Sequence, residues 1–184
     1  TSLSIDIVGF IYDDKAGHLW LGTAFWYTEM GGGLNYFDKA SEEFTVYRHN
    51  AKEQSSLSND MVLWISGTAD KSSSDLWIAT YGGGLNYFDA DNGRFTHYQN
   101  DPADEKSLRA DHLQTVYLDR TGVIWIGTKT RGVVKYAPST HKFYHVKKRT
   151  GLREGLHHPV ELSFCESCRG GLRIGTNDGG LNYR

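Results

Sequence analysis

The side chains best suited to hold a ligand lie close together near the start of the chain. Residues 25–30 place three aromatic rings in a row, followed by Thr28, Glu29 and Met30. A sugar ring stacks its apolar C–H faces on aromatic planes, and its hydroxyls need hydrogen-bonding partners. This segment predicts an oligosaccharide site that is formed by Phe25, Trp26, Tyr27 and Glu29. The alternative is that the segment packs on a neighbouring part of the protein.

A second set of candidate ligand contacts comes from a repeated motif. Residues 19–23, which end in Gly-Thr just before this segment, recur three times later in the chain, and each later copy also ends in Gly-Thr or Ala-Thr. The candidate residues directly follow these pairs. Two of the residues, Lys129 and Arg131, carry cations that could hold an acidic sugar or a sulfate. The alternative is an ordinary solvated loop. The whole set is Tyr81, Lys129, Arg131, Asn177 and Asp178.

The cysteines and histidines near the C-terminus do not form an established metal pattern. Cys165 and Cys168 are the only cysteines, and His157 and His158 lie just upstream. Four such side chains could in number satisfy zinc, but their spacing matches no known zinc site. The sequence therefore predicts no metal and no cofactor. A disulfide and two free thiols both remain open.

Composition and motifs exclude several classes of function. Lys plus Arg number 20 and Asp plus Glu number 22, so no basic surface for nucleic acid is expected. No apolar run approaches the ~18 residues that span a bilayer, and we expect no direct membrane contact. No nucleophile, nucleotide-binding or metalloprotease motif occurs, so no catalytic residue is assigned. The sequence begins at Thr1 rather than Met and shows no signal-peptide pattern, so we expect a processed piece and predict no compartment from targeting.

One phrase, Leu-Trp-Leu-Gly-Thr at residues 19–23, recurs with small changes at residues 76–80, 124–128 and 172–176. Its second position is occupied by Trp20, Trp77, Trp125 and finally Arg173, at intervals of 57, 48 and 48 residues. A glycine-rich step and a second apolar run follow each copy; they read Gly-Gly-Leu-Asn-Tyr in the first, second and fourth copies and residues 132–136 in the third. A period of this length indicates an array of similar structural units.

Each unit contains four strand-like runs, and the runs predict an all-β fold of β-propeller blades. The first run alternates apolar and polar residues (Ile5 to Tyr12 in the first unit), and an Asp-x-x-Gly turn leads to the phrase. Four antiparallel strands in 45 to 50 residues are typical of a propeller blade. We expect Trp20, Trp77 and Trp125 to pack between adjacent blades. A single domain is predicted over residues 1–184, with blades at approximately 1–56, 57–107, 108–155 and 156–184.

The array is expected to be incomplete. The last repeat ends inside its third strand, so the fourth blade lacks an outer strand. Propellers of six to eight blades are commoner than four-bladed ones. We therefore expect either about half of a larger propeller or a short array that pairs with a second copy, forming a homodimer.

In their order and recurrence, the four repeats resemble the two-component regulator propeller repeat family. The resemblance covers nearly the whole chain, although the third copy lacks Gly-Gly-Leu-Asn and Arg173 replaces tryptophan. It implies a seven-bladed propeller in the periplasmic or extracytoplasmic sensor region of a membrane histidine kinase. The implied role is non-catalytic sensing of an oligosaccharide. The alternatives are a propeller-type glycoside hydrolase or lyase and a protein-interaction scaffold.

Overall fold

The computed structural model describes residues 2–14, 16–25, 30–70, 72–146, 161–167, 171–176 and 180–183. Within these ranges the chain forms β-strands, turns and connections, and no helix long and apolar enough to cross a membrane. The strands are β1 Val8–Asp13, β2 His18–Phe25, β3 Met30–Asp38, β4 Glu43–Tyr47, β5 Val62–Gly67, β6 Leu76–Thr80, β7 Gly84–Asp89, β8 Arg94–Tyr98, β9 Leu113–Leu118, β10 Ile124–Thr128, β11 Val133–Ala137, β12 Lys142–Val146, β13 Glu161–Glu166, β14 Leu172–Thr176 and β15 Gly180–Tyr183.

The strands form four separate antiparallel sheets, each made of strands that are consecutive in the sequence. Three sheets have four strands, and the described part of the fourth has three, β13 to β15. The first strands of successive sheets contact one another, β1 with β5, β5 with β9 and β9 with β13. This is the arrangement of propeller blades, and the sheets are called blades 1 to 4 below. The prediction of an all-β chain of antiparallel repeats is confirmed, and the count of seven blades stays a prediction.

The tryptophans of the repeated phrase join one blade to the next. Trp20, Trp77 and Trp125 are 3%, 5% and 6% exposed. The ring of Trp20 lies 5.4 Å from that of Phe88 in blade 2, and the ring of Trp77 lies 5.5 Å from that of Tyr136 in blade 3. These edge-on contacts add to the burial of large apolar surfaces. The predicted position of the tryptophans between blades is thus correct.

Glycine at the end of the phrase lets the blades approach closely. A Cβ on Gly22 would lie 2.8 Å from both Cγ1 and the carbonyl oxygen of Val62 in blade 2. No side chain fits in that space without moving the backbone of the next blade. The sequence thus places a residue without a Cβ where two sheets touch.

A buried polar contact repeats in blades 1 and 2. In blade 2, the amide of Asn86 accepts a hydrogen bond from Ser58 N (3.0 Å) and donates one to Ser58 Oγ (2.7 Å). Asn35 makes the same pair of bonds with Ser4 at 3.0 and 2.8 Å. Each asparagine is fully buried, so these bonds replace those it would make with water. They fasten the connection that precedes a blade to the third strand of that blade.

Blade 3 differs in register from the sequence alignment. The alignment of the repeats by sequence matches Tyr136 with Tyr36. In the structure, however, the residue paired with Trp20 is Tyr36, and the residue paired with Trp125 is Lys135. The left-handed Gly132 (φ 78°) therefore corresponds to Gly84 (φ 75°), the second glycine of the pair in blade 2. Two consequences follow: Val134 takes the place of the buried asparagine, and Lys135 lies over the Trp125 ring at 4.6 Å, where the other blades have tyrosine.

The two end residues of the inserted segment in blade 1 belong to strands. Phe25 and Met30, expected in a loop, are the last paired residues of β2 and β3. The first strand begins at Val8 and not at Ile5 as expected.

Ser4, which precedes this strand, donates a backbone hydrogen bond to the side chain of Asn35 and does not pair with a neighbouring strand. Residues 26–29 lie outside the described part of the chain.

One face of blade 1 is open. Ile11 is 56% exposed, although Ile65 at the same register position in blade 2 is 1% exposed beneath the preceding blade. Val8 is likewise exposed where the matching Val62 is buried. The exposed positions are those that a preceding blade covers elsewhere in the array.

The aspartate of the Asp-x-x-Gly turn accepts matching backbone hydrogen bonds in blades 1 and 3 but binds different side chains. Asp119 accepts backbone hydrogen bonds from Thr121 and Val123 through Oδ1, and Trp125 Nε1 donates to its Oδ2 at 2.7 Å. Burial alone would raise the pKa of Asp119, but these bonds together lower it. The expected turn geometry is confirmed, with φ of 81° at Gly122.

In blade 1 the aspartate Oδ2 contacts a histidine, whereas the equivalent oxygen in blade 3 accepts a hydrogen bond from the tryptophan. Asp14 Oδ1 accepts the matching backbone bonds from Ala16 and His18, but its Oδ2 lies 2.9 Å from His18 Nδ1. The buried Trp20 Nε1 has no hydrogen-bond partner among the described residues. His18 occupies the position of Val123, so the two turns differ at the residue that competes for the carboxylate.

Replacing His18 with the residue found in blade 3 should stabilise the protein. In His18→Val, Asp14 Oδ2 is free to accept Trp20 Nε1, as Asp119 accepts Trp125. The Asp14–His18 contact is mostly buried, with side chains 6% and 29% exposed, but its hydrogen bond to the carboxylate is replaced by the one from Trp20. The gain is the removal of an unpartnered buried N–H, which costs about 1–3 kcal/mol. We expect the free energy of unfolding in urea at pH 7 to rise by about 1 kcal/mol.

The reciprocal variant Val123→His is the matched control, and it should lower the free energy of unfolding by drawing Asp119 away from Trp125. Indole N–H resonances in the NMR spectrum report each exchange directly. A destabilised His18→Val variant with an unchanged Trp20 indole resonance would show that the two groups do not compete.

Candidate ligand-binding site

The turns between second and third strands meet the connections between blades on one side of the sheets, called the mouth here. Gly82 N and Gly84 N, in the β6–β7 turn, both donate to the carbonyl of Asp111, at 2.9 and 3.0 Å. Gly33 N donates to the carbonyl of Asp60 at 2.9 Å in the same way. Each connection is therefore bonded to the turn of the blade before it, which places loop residues of adjacent blades side by side.

Three side chains from three different segments meet at the mouth between blades 2 and 3. The Tyr81 and His112 rings are perpendicular, with centroids 4.7 Å apart. Lys129 Nζ lies 4.7 Å from the centre of the Tyr81 ring and donates a hydrogen bond to its hydroxyl. Lys129 N also donates to the carbonyl of His112 at 2.9 Å. Tyr81 and Lys129 occupy the same position in successive repeats, so the stacking of the blades brings them together.

A notch lies beside this cluster, above Gly82. A Cβ built on Gly82 would lie 3.6 Å from Asn59 Nδ2 and 3.8 Å from His112 Nε2. The Asn59 amide is oriented by Met61 N, which donates to its Oδ1 at 2.8 Å, so that Nδ2 points to the notch. With φ of 105°, Gly82 has a conformation that other residues rarely adopt. Two side-chain nitrogens therefore lie within van der Waals distance of the position that a Cβ on Gly82 would occupy.

The carboxylates nearest to the mouth are occupied by backbone groups. Asp60 Oδ1 accepts a hydrogen bond from His49 N at 2.6 Å, and Asp111 Oδ1 accepts one from Asn100 N at 2.7 Å. These carboxylates tie the end of a fourth strand to the connection that follows it. Ion pairs among the described residues join His18 to Asp14, Lys39 to Asp13 and Arg120 to Glu166. None of them includes a cation of the mouth.

The structure brings together part of the predicted site. Tyr81 and Lys129 are in contact, and Arg131 is exposed in the same turn as Lys129, where its N–H donates to Thr128 Oγ1 at 2.9 Å. Phe25 lies in β2, next to the inserted segment. The other predicted residues lie outside the described part of the chain: Trp26, Tyr27, Glu29, Asn177 and Asp178.

Two residues of the mouth were missed from the sequence. Asn59 and His112 belong to the polar connections before blades 2 and 3, where nothing in their own spacing indicates a ligand contact. The backbone bonds between these connections and the preceding turns place them at the notch. The repeat did contain a usable signal, because the two connections read Ser-Leu-Ser-Asn-Asp and Ser-Leu-Arg-Ala-Asp, and such differences are concentrated in ligand-contacting loops.

The remaining metal candidates can be located only in part. Cys165 is a free, exposed thiol in β13, whereas His157, His158 and Cys168 lie outside the described residues. In the ranges that the structure covers, no three His, Cys, Asp or Glu side chains are grouped so that they could hold a metal ion.

Comparison with known proteins finds similarity among solved structures. No family model matches the chain, and no curated protein matches it. The extracellular domain of BT3049 from B. thetaiotaomicron, assigned to a hybrid two-component system, matches 98% of this chain with 28% identity and a TM-score of 0.81. That of BT4673 from the same organism, also assigned to a hybrid two-component system, matches 99% with 22% identity and a TM-score of 0.70. The chain spans 23% of each of these two structures.

A more distant match concerns the fold alone. Virginiamycin B lyase from Staphylococcus aureus matches 95% of the chain, with 12% identity and a TM-score of 0.62, and the chain spans 54% of that protein. The likeness agrees with the blade arrangement of the sheets. Of the structures named here, only the BT3049 domain has a sequence identity to this chain above 25%.

Proposed function

We propose that this chain is the ligand-binding part of an extracytoplasmic sensor in a two-component signalling protein, and that it binds an oligosaccharide without cleaving it. The similarity to an extracellular domain of a hybrid two-component system supports the class of protein. The proposal includes a periplasmic location within a membrane-anchored receptor. It assigns no catalytic residue to the module.

The observation that carries the binding proposal is the notch above Gly82, with an aromatic ring beside it. Asn59 Nδ2 and His112 Nε2 both lie within 4 Å of the position above Gly82, and a ligand hydroxyl at that position would have both nitrogens as hydrogen-bonding partners. Tyr81, held by Lys129 and His112, adds an aromatic surface against which the C–H face of a sugar can pack. The inserted segment of blade 1 would extend the site through Trp26 and Tyr27, with Glu29 as a hydrogen-bond partner, and Asn177 and Asp178 would contribute the matching turn of blade 4.

Calorimetric titration with a panel of oligosaccharides tests the binding role. We expect saturable binding and no cleaved product after prolonged incubation. Tyr81→Ala should weaken binding by roughly tenfold, since an aromatic contact is worth about 0.5–1.5 kcal/mol and a further loss follows from release of Lys129. Trp26→Ala should also reduce affinity.

Tyr144→Ala is the matched control for these variants. Tyr144 is 50% exposed on the outer strand β12, away from the mouth, and its removal should leave affinity unchanged. Formation of a shortened or unsaturated sugar would show an enzyme instead of a sensor. Unchanged affinity in Trp26→Ala would remove the inserted segment from the site.

We further propose that a blade of the same type covers the open face of blade 1, supplied by the parent protein or by a second copy of the chain. The support comes from blade 2, whose matching face is covered by Trp20, Tyr36 and Tyr47 of blade 1. An aromatic sheet face of that kind would bury Val8 and Ile11 as Val62 and Ile65 are buried.

Light scattering after gel filtration tests this face on the 184-residue chain, for which the available blade is that of a second copy. We expect a dimer that Ile11→Arg converts to a monomer, because a buried unpaired charge would oppose association. Ala51→Arg places the same charge on an exposed connection and should leave the dimer intact. A monomer for the unsubstituted chain would contradict pairing through this face.

A further inference from the structure

The mouth of blade 3 carries positive charge at positions that are uncharged in blade 2. The turns correspond residue by residue, because Thr80 Oγ1 donates to the carbonyl of Gly84 and Thr128 Oγ1 to that of Gly132, four residues later in each case. Tyr81 is thereby matched with Lys129, and Gly83 with Arg131. The connections that precede blades 2 and 3 can be aligned on Leu57 and Leu108, which are both fully buried. In this alignment Arg109 occupies the position that Ser58 has before blade 2.

These positions are neighbours in space. A Cβ on Gly83 would lie 2.7 Å from Asn59 Cβ, and still closer to the hydroxyl of Ser58. In blade 3 the corresponding residues are Arg131, Ala110 and Arg109. Both arginines are exposed. Lys129 lies in the same turn as Arg131, and Lys129 N donates to the carbonyl of His112, three residues after Arg109, so this turn is bonded to the connection that carries Arg109. Arg109, Lys129 and Arg131 are called the blade 3 basic cluster below.

The fold does not require these charges. The asparagine that binds Ser58 in blade 2 is replaced by the buried Val134 in blade 3, so Arg109 has no counterpart of that contact. None of the ion pairs among the described residues involves the three cations, and the nearby Asp111 carboxylate accepts a hydrogen bond from Asn100 N. Cations placed side by side repel one another, and an anion between them removes that cost.

We propose that the ligand is an acidic oligosaccharide, whose carboxylate or sulfate group is bound by Arg109, Lys129 and Arg131. The inference rests on the proposed function, because it names the ligand class of the same mouth. Arginine presents paired N–H groups that fit two oxygens of a carboxylate or a sulfate, which a hydroxyl cannot match. The notch above Gly82 lies beside Lys129, across Tyr81, so that a neighbouring sugar hydroxyl reaches Asn59 and His112.

Titration with three oligosaccharides of equal length tests the ligand class: one neutral, one with uronic acid units and one with sulfate groups. We expect at least one acidic sugar to bind ten times more tightly than the neutral one. The difference should shrink as salt rises from 50 to about 300 mM, because exposed charges are screened. The comparison of the two acidic sugars identifies which anionic group is recognised.

The double variant Arg109→Ser, Arg131→Gly introduces the residues that blade 2 has at these positions. It should lose the preference for the acidic sugar by about tenfold and leave the affinity for the neutral sugar unchanged. Arg94→Ser removes a positive charge from an exposed residue at the start of β8 and should leave the preference intact. Thermal unfolding of each variant checks that it folds.

The outcomes separate this inference from the proposed function. Equal affinity for neutral and acidic sugars, with no effect of the double variant, would overturn the acidic ligand and leave sugar sensing in place. Failure of all three sugars to bind would overturn sugar sensing, and the acidic ligand with it. A preference for acidic sugar that persists in the double variant would overturn the role of the blade 3 basic cluster.

Discussion

The packing of one tryptophan from each of blades 1 to 3 against the next blade is the contact on which the rest of the structure depends. An antiparallel sheet of four short strands has two faces, and in this chain both are largely apolar. Trp20, Trp77 and Trp125 fill the space between sheets, and Gly22 lets the backbones come close enough to exclude water. Because each blade is stabilised by its neighbours, the array behaves as a stack of similar units. The turns and connections at the mouth are positioned by that stack.

The side chains at the mouth can vary in type because the turns and connections are joined by backbone hydrogen bonds that do not involve those side chains. Carbonyls of Asp60 and Asp111 anchor the turns of blades 1 and 2 by accepting hydrogen bonds from backbone N–H groups of glycines. The side chains at the equivalent positions are then free to differ, as Tyr81 and Lys129 do. This separation is how a repeated scaffold can acquire a binding site in one place without losing its fold.

The repeat made the fold predictable, while single residues decided what could not be predicted. Four copies of one phrase with aromatic and glycine residues at fixed places indicate blades, and the tryptophan positions between sheets followed from the size and apolar character of that side chain. The register of blade 3 could not be predicted from the sequence. Gly132 can be aligned with either glycine of the Gly-Gly pair in the other blades, and its left-handed conformation shows that it corresponds to the second. Residues 25 and 30 were placed in a loop, because strand pairing across an insertion leaves no mark in composition.

The residues of the candidate site could be predicted only where they occupy the same position in successive blades. Tyr81 and Lys129 were named together for that reason, and the structure brings them into contact. Asn59 and His112 reach the notch through backbone hydrogen bonds between a connection and the preceding turn, and residue types do not encode these bonds. Differences between the repeats, such as that between Ser58 and Arg109, indicate more residues of the candidate site than sequence motifs do.

Mapping of amide chemical shifts during titration with an acidic oligosaccharide tests whether a ligand binds at the mouth between blades 2 and 3. We expect the largest shifts at Asn59, Gly82, His112 and Lys129, with small shifts on the outer strands β4, β8 and β12. Shifts concentrated on those outer strands, with the mouth unaffected, would contradict binding at the mouth.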